Sequence, residues 1–60
     1  MQLKRFRLER KLTKDQMSQL VGISRSMYEK IERGERTPSV ETIKKFKKAF
    51  KELDINIFLT

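Results

Sequence analysis

The sequence contains no cysteine and no histidine. Without cysteine there is neither a disulfide nor a thiolate metal site to reinforce a small fold. Without histidine the usual zinc ligands shrink to carboxylates, so no structural metal is expected. The same absences remove two common agents of nucleophilic and acid–base chemistry. With no glycine-rich phosphate cradle and no clustered carboxylates either, an enzyme is the least expected class. Long apolar stretches are also missing: the longest run is three residues, Ile57–Phe58–Leu59, far short of a bilayer span. The N-terminus, MQLKRFRLERK, is charged and reaches no apolar stretch, which is not how a secretion signal reads. A cytoplasmic location is the resulting expectation, with association to the nucleoid if the partner is DNA. No cofactor is expected, and a chain this short leaves little room for a ligand-sized cavity.

Glycine occurs twice and proline once, whereas Lys, Glu, Leu, Arg and Gln are frequent, a composition that favours helices. Residues 1–60 are expected to form one domain, because a chain of this size buries only about 60% of its unfolded surface and has no core to divide. Fifteen Lys and Arg stand against eight Asp and Glu, a formal net charge of +7. Nucleic acid or an anionic membrane surface would both be attracted, and an acidic protein is a third partner class.

The apolar spacing divides the chain into helices. The first runs from about Gln2 to Lys11, with Leu3, Phe6 and Arg10 on one stripe and Arg7 beside them. Thr13 is a good N-cap for the second, and Gln16 three residues later completes a capping-box pattern. Met17, Leu20 and Val21 follow at the spacing of a buried face. Gly22 ends that helix by supplying a left-handed residue without steric penalty. Ile23 fills the inside of the turn and Ser24 caps a third helix, Arg25 to Arg33, whose Met27, Tyr28 and Ile31 point inward. Gly34 closes it. Pro38 and Ser39 open the fourth. There Val40, Ile43, Phe46, Phe50 and Leu53 line one face, and Lys44, Lys45, Lys47, Lys48 and Lys51 occupy the rest. Asp54 caps a final short turn, Ile55 to Leu59, for which helix is preferred over an edge strand.

The pattern TKDQMSQLVGISRSMYEKIERG, residues 13 to 34, is thus two short helices joined by a turn that holds a glycine. That arrangement presents a helix to the DNA major groove. With Tyr28 and Ile31 inward, positions 25, 26, 29, 30 and 33 face outward and read Arg, Ser, Glu, Lys, Arg. Arg25 can fork onto guanine, Ser26 can donate or accept, and Lys30 can reach guanine or phosphate. Taken alone, the same three residues also fit an ordinary solvated surface.

The stretch LTKDQMSQLVGISRSMYEKIERGERTPS, preceded by Phe6–Arg7 and followed by an amphipathic helix, resembles the Cro/repressor-type (XRE-like) helix-turn-helix family of phage and bacterial regulators. Leu12, Thr13, Gly22, Ile23, Ser24, Ile31, Glu32, Gly34 and Pro38 sit in the family's register, and the likeness spans essentially the whole chain. It departs in two places. Lys14 stands where the family usually has Gln, and Met17–Ser18 replaces the usual Leu–Ala. Ser18 is small enough for the close approach of two helices, but its hydroxyl must find a backbone acceptor or cost about 1–3 kcal/mol.

The resemblance implies an all-α, compact, four- to five-helix, lambda-repressor-like domain with helices two and three as the helix-turn-helix. It implies sequence-specific binding of double-stranded DNA, with a (pseudo)palindromic operator and a transcriptional regulator of the repressor type. Arg25, Ser26 and Lys30 would meet base edges; Lys14, Ser24, Arg33, Arg36 and Thr37 would meet phosphates. Arg7 and Glu32 would form a structural ion pair between helices one and three. Phe58 and Leu59 would serve a weak homodimer through the C-terminal region. Two other functions stay open at this stage. One is an antitoxin-like module that binds a partner protein and autoregulates through DNA. The other is a cationic membrane-active peptide, suggested by KKFKKAFK, although the phenylalanines of that segment are needed for a core.

Overall fold

Three side-chain oxygens start three of the helices in the computed structural model, which describes residues 2–58. Thr13 accepts the Gln16 amide at 3.0 Å while the Gln16 side chain accepts the Thr13 amide at 2.9 Å, so two otherwise unpaired donors are satisfied reciprocally. Ser24 accepts from the Met27 amide at 3.1 Å and Ser39 from the Thr42 amide at 3.2 Å. The elements so defined are α1 (Gln2–Glu9), α2 (Lys14–Val21), α3 (Arg25–Glu32) and α4 (Val40–Ala49), followed by a 3-10 turn, Ile55–Phe58. No strand occurs among the described residues, and the tail is therefore helical rather than an edge strand. The fold is all-α, with α2 and α3 forming the helix-turn-helix.

Gly22 stops α2 at φ 86°, with its amide bonded to the Ser18 carbonyl at 2.8 Å. A Cβ built there would meet nothing within 4 Å. The position therefore asks for glycine through its backbone conformation alone, not through space.

Leu3, Met17, Tyr28, Ile31, Phe46, Leu53 and Phe58 form the centre of the core, with Val21 and Ile57 at its margin. Phe46 joins the halves of the molecule: its ring lies 5.0 Å from that of Phe58 and 6.3 Å from that of Tyr28. Phe6 meets Phe50 edge to face at 5.3 Å.

Several expectations need correction. Leu20 is 56% exposed and Val40 68% exposed. The buried stripe of α2 is Met17, Ser18 and Val21, and at about 100° per residue Leu20 sits nearly opposite Ser18. Ser18 takes the buried place because its hydroxyl donates to the Asp15 carbonyl at 2.8 Å. On α4 the buried positions are Thr42 and Phe46, one turn apart, and Val40 lies off that line. Helix α4 also ends earlier than its periodicity suggests. Phe50 is extended at φ −134°, so Phe50 and Leu53 reach the core from a loop. Lys47 is part of that stop, donating to the Leu53 carbonyl at 2.8 Å. Pro38 and Ser39 open α4 as expected, Ser39 as the cap and Pro38 just before it.

At the other end, α1 stops at Glu9, two residues short of the expected Lys11. Lys11 adopts φ 56°, reversing the chain so that Leu12 returns to Arg7. The Leu12 amide bonds the Arg7 carbonyl at 3.3 Å, and the Leu12 carbonyl accepts from Arg7 Nη1 at 2.8 Å. Phe58 is only 4% exposed, because the 3-10 turn folds its ring onto Phe46. It is a core residue and not an available dimer contact. Leu59 lies outside the described residues.

Candidate nucleic-acid interface

Helix α3 carries its burial on one side. Tyr28 and Ile31 are fully enclosed, and Glu32 beside them is buried. The opposite side is polar by sequence and solvent-facing by geometry: Arg25, Ser26, Lys30 and Arg33 are exposed, and Glu29 is half-buried. Arg25, Ser26 and Lys30 thus share one outward face at the start and middle of the helix. Ser24, the cap, is exposed as well, its oxygen already accepting the Met27 amide.

The remaining candidates lie on either side of that face in sequence. Lys14 begins α2 and is half-buried; Arg36 and Thr37 are exposed in the loop after α3. Arg33 is not free in solution, because its Nε contacts a Glu35 carboxylate oxygen at 3.3 Å. Sequence reasoning overlooked one participant, Glu29. Its carboxylate accepts from Arg25 Nε at 3.1 Å. The signal was present, since an acid four residues after a base lies on the same helical face.

Beneath the face, Arg7 reaches from α1 to Glu32 with Nε–Oε2 at 3.0 Å and Nη2–Oε1 at 3.3 Å. Burial pushes the Glu32 carboxyl up, but the hydrogen bonds from Arg7, the nearby Tyr28 hydroxyl and the charges of Arg7 and Lys14 outweigh it, leaving the carboxyl below its usual value. The hydrogen bond to Glu32 raises the Arg7 guanidinium further despite its burial. Tyr28 is pushed up first by burial and then by the neighbouring Glu32 carboxylate. Its hydroxyl lies enclosed beside the pair without a hydrogen bond of good geometry. The shifts of all three groups run away from neutrality, so near neutral pH the cluster keeps one set of charges and serves as an anchor for α3.

Among the described residues no three acidic side chains converge to hold a metal ion. No helix among the described residues is long and apolar enough to cross a membrane.

A capped helix, a glycine turn and a second capped helix with an exposed polar face define the class of helix-turn-helix DNA-binding domains. The helix-turn-helix family pattern matches residues 3–58 of this chain. The chain belongs to that family, in its XRE-like form, and its general role is that of a DNA-binding transcription regulator. Neither a curated protein nor a solved structure matches it.

Proposed function

We propose that the protein is a sequence-specific, repressor-type regulator that places α3 in the major groove of duplex DNA. The observation that carries this reading is the two-sidedness of α3: Tyr28 and Ile31 wholly buried, Arg25, Ser26 and Lys30 exposed together. Arg25, Ser26 and Lys30 then read base edges, while Lys14, Ser24, Arg33, Arg36 and Thr37 meet phosphates. Phosphate contacts set position and base contacts set sequence. Two copies on half-sites about 34–36 Å apart would make the operator (pseudo)palindromic. Of the final turn, Ile55 is the apolar residue left exposed for such pairing.

The test is selection of bound duplexes from a random pool, followed by affinity against salt. A single enriched motif is expected, with log affinity falling against log salt at a slope of roughly −0.9 per neutralised phosphate. A steep slope with no preferred sequence would reduce the protein to a general DNA binder.

One observation favours a second reading, the antitoxin-like module. Leu20 stands exposed beside a shallow cleft formed with Val21, Gly22, Lys45, Lys48 and Ala49. An exposed apolar side chain in a cleft that also holds two lysines, Lys45 and Lys48, suits an acidic protein partner. Co-purification of the tagged protein from its own cells with a stoichiometric small acidic protein, lost in Leu20→Glu, would favour that reading.

A further inference from the structure

Arg25 and Glu29 form an ion pair that a helix has little reason to contain for its own stability. Arg25 is the first residue of α3, where the positive end of the helix dipole disfavours a cation. The order along the chain, base first and acid four residues later, is the less stabilising of the two orders. The pair is also asymmetric: the Glu29 side chain is 28% exposed and that of Arg25 59%. The carboxylate is the fixed post and the guanidinium the arm held by it.

The point of attachment matters. Glu29 takes the Nε hydrogen of Arg25 at 3.1 Å. Among the described residues neither Nη nitrogen of Arg25 has a hydrogen-bond partner. Those two nitrogens form the end of the planar fork, the part that bonds O6 and N7 of guanine together. A bond at Nε restrains the guanidinium plane while leaving that end open. It also reduces the rotamer freedom that a long, solvated arginine would otherwise lose on docking.

We infer that Glu29 is a positioning residue for base reading: it holds Arg25 with its terminal fork presented to a guanine, and its negative charge discourages contacts with phosphate alone. This rests on the reading of α3 as the recognition helix. The two effects have opposite signs in experiment. Removing the charge strengthens binding to arbitrary DNA, whereas releasing Arg25 weakens the choice of guanine.

The test uses the full chain, the duplex selected on wild-type protein, the same duplex with the Arg25-sensitive guanine replaced, and a random duplex. Wild type, Glu29→Gln, Arg25→Ala and the double variant are compared, with thermal melting as a check on folding. Glu29→Gln is expected to lower guanine discrimination about three- to tenfold, a part of what one bidentate contact supplies, while tightening random-duplex binding. In the Arg25→Ala background the same change should leave discrimination untouched. Glu29→Asp, one methylene too short to reach Nε, should reproduce the loss of discrimination without the gain on random DNA. Replacing the guanine by 7-deazaguanine, which lacks the N7 acceptor, should bring wild type and Glu29→Gln together. Unchanged discrimination in Glu29→Gln, or an equal loss with and without Arg25, would overturn the positioning role while leaving α3 as the reader. A wild-type protein with no preferred duplex would remove the recognition helix itself, and the inference with it.

Discussion

Arg7 binds Glu32 through two nitrogens and the Leu12 carbonyl through the third. One guanidinium thereby joins α1, the loop before α2 and the last residue of α3. Both side chains are buried, so the pair is desolvated and has no water to fall back on if one partner is lost. The anchoring of α3 from below and the exposure of its polar face above are two aspects of the same placement.

Arg7→Met is expected to destabilise the fold by about 3–5 kcal/mol, because it leaves a buried carboxylate unpaired. Adding Glu32→Leu should recover much of that loss, since two apolar side chains leave no stranded charge. Urea unfolding of the wild type, the single and the double variant measures both steps; an unchanged single variant would mean that the pair contributes nothing.

The depressed Glu32 carboxyl ties stability to pH. Its native value lies below the ordinary 4.5, so its contribution is complete above 4.5 and disappears as pH falls through the native value. Glu32→Gln should flatten this acid limb in urea midpoints taken between roughly pH 3 and 6. Tyr28 acts at the alkaline end. Its raised pKa means that, above the ordinary 10.0, the unfolded chain releases a proton the folded one keeps, and stability falls. Tyr28→Phe should remove that decline.

Of the three left-handed residues among those described, Lys11, Gly22 and Gly34, the first two predict opposite responses. Lys11, at φ 56°, carries a side chain in a region that favours glycine, so Lys11→Gly should stabilise by about 0.5–1 kcal/mol once the added flexibility of the unfolded chain is counted. Gly22, at φ 86°, should lose about 1–2 kcal/mol as Gly22→Ala despite the open space around it. Paired thermal melts decide both, and a stable Gly22→Ala would show that the turn has another conformation available.

Arg25→Ala should lower the preference for its guanine by roughly 1–3 kcal/mol and leave random-duplex binding less affected. Lys14→Ala should weaken all duplexes alike and reduce the salt slope by about 0.9. Equal losses for Arg25→Ala on selected and random duplexes would exclude it as a base reader.

The chain order of Thr13, Gln16, Gly22 and Ser24 determined the helix-turn-helix by itself. Caps and left-handed turns depend on atoms within a few residues of one another, and their signals survive in a one-dimensional reading. The inward turn of Tyr28 and Ile31 was equally legible, because α3 has no competing apolar face. Tertiary structure alone decided which edge of a stripe is buried. Leu20 was left outside the buried stripe of α2, whereas the place of the small Ser18 at the helix contact, and its need for a backbone acceptor, were legible beforehand. Tertiary structure also ended α4 at Ala49, where Lys47 captures the Leu53 carbonyl, and folded Phe58 onto Phe46 instead of leaving it for a partner. The last two outcomes depend on groups six and twelve residues apart meeting in space, and helical periodicity carries no information about such encounters.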